Sequence, residues 1–321
     1  MRYLAMLAAA LLVLTGWGAS PAQAQAGKIA SRNAEQVRLV FNPPLDTTLR
    51  FRVTRTKRRN GGAPQGGSWI EEARFVRSGS GFILYWRIDP ASLPPRQGRS
   101  IVLQPRAMTE ALAFDLDSNG GLVRIRDWEV VRTRLGDLAY DMASVLAGSM
   151  GGPSRVDQVA GELKTMLSGM TAEQAPEMIL RNLTIIFDWC GIEMRAGEAI
   201  ETTVQQPIAM LDGSVAMHTR LTLDSVDPGR TAVFTMRGEI DRDALAKLVK
   251  DVVDRTGMLG NSARDQRLRR ELEQLQQMSL VDTTRAVFDL PTGLPLSLEN
   301  ERRVTVDGMW SSELLKIEWL R

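Results

Sequence analysis

The sequence predicts an α+β fold: curved antiparallel β-sheet, bent into a half-barrel from two similar β-rich halves and packed against inserted helices. Three observations carry that expectation. Apolar and polar residues alternate over 46–132 and again over 196–321, the period of half-buried strands. Between these blocks, over 133–190, the apolar spacing lengthens to that of amphipathic helix. A hairpin signature also occurs twice, as Phe114-Asp-Leu-Asp-Ser-Asn-Gly120 and as Phe288-Asp-Leu-Pro-Thr-Gly293.

In chain order, Arg2 precedes the apolar run Leu4–Leu14, and Ala22-Gln-Ala24 follows. That arrangement reads as a cleaved secretory signal peptide over 1–24. The run is short for a bilayer span, so the expected product is periplasmic or secreted, with no membrane-spanning segment after cleavage. Residues 25–45 lack periodicity and end in Pro43-Pro44, which predicts a flexible arm before a single domain over 46–321.

The first β half then alternates through Leu49–Val53, Trp69–Val76 and Phe82–Ile88, with a glycine-rich loop at Asn60–Gly67. A Pro-rich stretch at Pro90–Pro95 leads to Ile101–Leu103 and the first hairpin, completing an expected meander of six strands. Leu135, Leu138, Met142, Val145 and Leu146 mark one helical face, which Gly148–Pro153 interrupts. Val156, Val159, Leu163, Met166, Leu167 and Met170 mark a second. Thr171-Ala-Glu-Gln174 is a capping-box spacing, and a third helix is expected from Met178 to Trp189. Strands resume near Glu198: Val215, Met217, Thr219, Leu221 and Leu223 share a face, Asp227-Pro-Gly229 turns, and Thr231–Ile240 returns. A helical insert over 241–278 begins at an Asp241 cap and includes a more polar helix over Ala263–Met278. The second hairpin and a terminal strand with Leu315, Ile317 and Trp319 close the chain.

Composition narrows the function by exclusion. Lys+Arg 40 against Asp+Glu 38 is nearly balanced, at a formal net charge of +2, which argues against nucleic acid as a partner. Cys190 is the one cysteine, so no intramolecular disulfide forms and the core alone must hold the fold. Neither G-x-x-x-x-G-K-[ST], G-x-G-x-x-G after a strand, G-x-S-x-G nor Ser-x-x-Lys occurs, and no cofactor is expected.

Four features remain. Asp115, Asp117, Asn119 and Gly120 follow the first half of a calcium loop, but Arg126 stands where the bidentate acid belongs, so a hairpin turn is expected and no metal. His218 is the one histidine and is expected to be an ordinary strand residue. Arg55, Lys57, Arg58 and Arg59 form a basic run that would suit an anionic partner, or else pair internally with Glu71 and Glu72 on the next strand. Trp69, Trp86 and Trp128, with Met142, Met166, Met170 and Met178, are candidates to line an apolar ligand site, and equally candidates to fill the core.

The expected function is therefore non-enzymatic: binding an apolar, lipid-like molecule or an envelope component. The alternative is an envelope assembly protein with no ligand cavity. Third comes a hydrolase using His218, which would need a carboxylate within hydrogen-bonding reach in a cleft.

Overall fold

The structure is a computed structural model that describes residues 36–93, 109–134, 136, 143, 156–175, 185–187, 189–208, 213–256, 278–306 and 308–321. The stretch expected to be a signal peptide, residues 25–35, the strand expected at Ile101–Leu103 and the helix expected at Ala263–Met278 lie outside them, except for Met278 itself. The described chain is mostly antiparallel sheet with few helices.

Its first meander runs β2 (Thr48–Arg59), β3 (Gln65–Ser78), β4 (Gly81–Ile88), β5 (Leu112–Leu116) and β6 (Leu122–Ile125). The second runs β8 (Ala199–Ile208), β9 (Gly213–Asp227), β10 (Thr231–Ile240), β11 (Ser279–Asp289), β12 (Leu294–Val306) and β13 (Met309–Leu320). Between β2 and β13 the meanders join, from Arg50 opposite Leu320 to Arg59 opposite Ser311. Among the described residues the result is one eleven-stranded sheet in the order β6-β5-β4-β3-β2-β13-β12-β11-β10-β9-β8, with β6 and β8 at its ends and not paired to each other. Two short strands, β1 (Gln36–Arg38) and β7 (Glu193–Arg195), make a separate pair. Helix α1 covers Val156–Gly169, and α2 covers Arg242–Thr256.

Period-two sequence gives the sheet two unlike faces. On one, Leu49, Phe51, Val53, Phe75, Phe82, Leu84, Phe114, Leu223, Phe234, Phe288, Leu298 and Ile317 are buried. On the other, opposite charges sit directly across from one another: Arg50, Glu72 and Arg87 on three adjacent strands, Arg52 with Glu318, Lys316 with Glu299, and Arg220 with Glu201. Exposed pairs of this kind add little stability each, but they mark a face that lies in water.

A strap formed by residues 37–42 crosses the buried face. Leu39 exchanges backbone hydrogen bonds with residues 191 and 192, and Phe41 packs edge-on to Phe82, Phe75 and Phe187 at 5.1, 5.5 and 5.9 Å between ring centres. Trp189, on the segment that supplies Phe187, packs with Phe234 and Phe288 in the second meander. Within the stretch expected as an arm, Val37, Leu39 and Phe41 are core. Pro43-Pro44 ends the strap rather than an arm, because three alternate apolar residues repay the ordering of this segment.

Both repeated hairpins grip the strap. The Asn42 amide donates to the Thr292 carbonyl at 2.9 Å, and its side chain donates to the Pro291 carbonyl at 3.3 Å. A Cβ on Gly293 would stand 2.2 Å from the Val40 carbonyl oxygen, and one on Gly120 would stand 2.5 Å from the Phe41 ring. The aspartates of the two copies nonetheless do different jobs. Asp115 pairs outward with Arg124, whereas Asp289 turns its carboxylate to the Thr292 amide and hydroxyl. Asp117 holds the turn in the first hairpin.

The helical expectations met mixed outcomes. Asp241 caps α2 through the amides of Asp243 and Ala244, at 2.9 and 3.0 Å, and Thr171 and Gln174 bond reciprocally as a capping box. Of the third helix, residues 185–187 are helical and 189–191 are a turn, so the chain leaves the helix before Trp189.

Gly293 and Gly61 share a φ of +67°, but nothing lies within 4 Å of a Cβ at Gly61. Gly61→Ala should therefore cost about 1 kcal/mol for backbone strain alone. Gly293→Ala should cost roughly 2 kcal/mol more, because the strap must move. Urea denaturation of both variants measures the difference.

Candidate functional site: a charged row on the buried face

At one end of the sheet the buried face stops being apolar. Cross-strand register places Asp282 on β11 opposite Arg302 on β12, Arg302 opposite Glu313 on β13, and Glu313 opposite Lys57 on β2. Four neighbouring strands thus carry a row of alternating sign. Beside it, Thr284 stands opposite Asn300, and Arg55 comes from β2. Leu280 and Val304 continue the buried face beyond the row, so its β11–β12 end is enclosed by apolar side chains.

The geometry is close. Both Nε and a terminal nitrogen of Arg302 reach Asp282 Oδ2, at 2.8 and 2.7 Å, with the two side chains 2% and 0% exposed. The Asn300 amide donates to Asp282 and, at 2.9 Å, to the Thr284 hydroxyl. Arg55 donates to Glu313 Oε1 at 2.6 Å, and Lys57 Nζ lies 3.4 Å from Oε2. Exposure rises toward β2: Glu313 is 6% exposed, Arg55 21% and Lys57 25%. Burial holds the Lys57 ammonium below the ordinary lysine value, against the pull of Glu313, and the neighbouring Arg55 and Arg59 lower it further. Asp282 and Glu313 give two negative charges; Arg55, Lys57 and Arg302 give three positive, leaving the named side chains one positive charge in excess. Such an arrangement can receive an anionic group where it opens at β2.

The basic run of the sequence therefore divides. Arg55 and Lys57 belong to this row on the buried side, while Arg58 is exposed and on the opposite face. The internal partner of Arg55 and Lys57 is Glu313, distant in sequence; Glu72 pairs instead with Arg50, at 3.6 Å, and with Arg87. Asp282, Asn300, Arg302 and Glu313 escaped the sequence reading. Their signal was a polar residue at a core position of the period, as in Leu280-x-Asp282-x-Thr284-x-Ala286.

Of the apolar candidates, Trp69, Trp86, Trp128 and Met170 sit in the core. The indoles of Trp69 and Trp86 both donate to the buried Glu71 carboxylate, at 2.9 and 3.1 Å. Trp128 donates to the carbonyl of buried Met170 at 2.9 Å. Met142 and Met178 lie outside the described residues, and Met166 lies on α1. A void of about 10 Å3, room for one water, lies among Phe51, Glu71, Ala73, Phe75, Trp86, Ile186, Phe187 and Leu294.

Two other features are structural. Asp117 Oδ1 accepts the amides of Asn119 and Gly121, each at 2.8 Å, and Asp115 is paired by Arg124 at 2.8 Å and by Arg126 at 3.3 Å. The half calcium loop is a hairpin whose carboxylates are occupied. Among the described residues, no group of three or more His, Cys, Asp or Glu side chains is placed to hold a metal ion. His218 stands between Thr203, at 3.1 Å from Nδ1, and Asp241, at 3.6 Å from Nε2. That is the order of a nucleophilic triad, but His218 is 61% exposed on an open face. The Ala244 and Asp243 amides, aided by His218, hold the Asp241 carboxyl below its usual range despite some desolvation. That carboxylate serves α2 first.

No protein-family model and no curated protein matches this chain. A solved structure described as "lipid-protein interactions in lipovitellin" aligns over 85% of this chain at 9% identity, with a TM-score of 0.37. The alignment spans 25% of that structure's chain. No described helix is long and apolar enough to cross a membrane.

Because Asp282 is fully buried, Arg302→Met should destabilise the protein by about 3–5 kcal/mol, as breaking a buried pair usually does. Replacing both, Asp282→Leu with Arg302→Met, should recover most of that loss. Denaturant midpoints of the two variants decide it.

Proposed function

We propose that the protein is an exported, non-enzymatic binding protein whose ligand is an amphiphile with an anionic head. The head is received at Arg55 and Lys57, and the apolar body lies along the buried face. The observation that carries this reading is the charged row, interior at Arg302 and open at Lys57. Burying charge is costly, and an apolar face with cations at its rim suits an anionic amphiphile.

The burial of Trp69, Trp86, Trp128 and Met170 in the core favours a second reading. On that reading the protein is an envelope assembly component that uses its outer surface and carries nothing. An amphiphile would have to displace packed side chains on entering.

Native mass spectrometry of protein purified from its own envelope separates the two. The amphiphile reading expects a bound anionic lipid-like molecule, with uptake of a fluorescent long-chain fatty acid weakened about tenfold by Lys57→Gln, the loss of one charge-assisted contact. If nothing co-purifies and the fatty acid does not bind, that reading fails. The assembly reading then expects reversal of the exposed charges Arg58 and Arg59 to weaken pull-down of envelope partners.

A further inference from the structure

The two edges of the sheet are unlike. Strand β6 is four residues long, and the register of β5 with it shifts at Asp115/Leu116. Arg124 is tied to Asp115, and the Ile125 amide donates to the Ala172 carbonyl at 3.0 Å. Short length, a bulge, charge and a covering segment are the means by which edges avoid pairing with other strands. Strand β8 uses almost none of them. It runs ten residues, Ala199–Ile208, and its one charged side chain, Glu201, is held by Arg220 at 3.0 Å. Among the described residues, no strand pairs with its outer side.

The direction of its free hydrogen-bonding groups follows from the register. The Leu223 amide donates to the Glu198 carbonyl, and the β8–β9 register continues from that pair without a shift. Hydrogen-bonded pairs alternate along an antiparallel ladder, so Ile200, Thr202 and Val204 bond to β9. Ala199, Glu201, Thr203 and Gln205 then aim their backbone groups outward. Pro207 falls in the same outward set, where a missing N–H costs the sheet nothing, as expected of an edge strand.

We propose that β8 is a self-association site, pairing antiparallel with β8 of a second copy about a two-fold axis at Thr203. This register sets Thr203 opposite itself and Glu201 opposite Gln205, an acid facing an amide rather than a like charge. It sets Thr202 beside Val204, so the half-buried Ile200, Thr202 and Val204 extend the buried face from one copy into the next. Parity makes this possible: residues brought opposite one another share a face, so the charged outer surfaces also stay on one side. The strand's complementarity to itself selects a second copy as the partner. One strand pair is a small interface, so association should depend on concentration.

Sedimentation velocity over a concentration series tests this on the full mature chain. The expected result is a monomer–dimer equilibrium whose dissociation constant rises about tenfold with Thr203→Pro, through loss of the two central N–H donors. Glu201→Lys combined with Gln205→Lys should abolish the dimer by opposing like charges. Circular dichroism confirms that both variants remain folded. In the dimer, Thr203→Cys should cross-link under mild oxidation, because a hydrogen-bonded antiparallel pair sets the Cα atoms about 5.5 Å apart, within disulfide reach. Cys190 is buried and does not compete. A monomer at all concentrations overturns the proposal, as does a dimer that ignores these substitutions and fails to cross-link in the Thr203→Cys variant.

Discussion

The pairing of β2 with β13 is the constraint on which the rest depends. Within each meander every strand pairs with its neighbour in chain order, but the two become one sheet only when the first long strand meets the last. The contact is among the most distant in sequence, so it closes against the largest loop entropy and should form late in folding. The charged row crosses this seam. Arg55 and Lys57 are contributed by β2, Glu313 by β13, and Arg302 with Asp282 by the two strands beyond. A one-residue slip at the seam would bring the outer face of β2 against Glu313 and strand the acid from both cations. The same residues thus help to fix the register and offer the cations a ligand could use.

The second constraint is the strap. Residues 37–42 cross the apolar face and fit against both glycine hairpins, while the 185–194 segment carries Phe187 to one aromatic cluster and Trp189 to the other. Thus the recurring Phe-Asp-Leu-…-Gly signature has a shared consequence despite its differing aspartates. Gly120 and Gly293 leave room for one strap.

Much of the sheet was legible because its period was strong. Thr231–Ile240 came out with the expected bounds, and the period of two sets Phe82, Leu84, Trp86 and Ile88 on one face, which the fold buries. Asp241 declared its helix through ordinary capping chemistry. The strap was not legible, since Val37, Leu39 and Phe41 make too short an alternation to outweigh Pro43-Pro44 read locally. The seam was invisible for a different reason: no local pattern states which hairpin's free strand pairs with which. The charged row needed both pieces of knowledge. Asp282 and Arg302 look like surface residues until their parity with Leu280 and Val304 puts them inside, and Glu313 becomes the partner of Arg55 and Lys57 only once the seam is formed.

Amide hydrogen exchange, resolved by residue, tests the union of the two meanders most directly. If β2 and β13 lie at the middle of one sheet, amides at Phe51–Thr54 and at Leu315–Glu318 should be among the slowest in the molecule and share one opening free energy. Those of β6 and β8 should exchange faster. A β13 that exchanges like a frayed terminus while β2 stays protected would contradict the account.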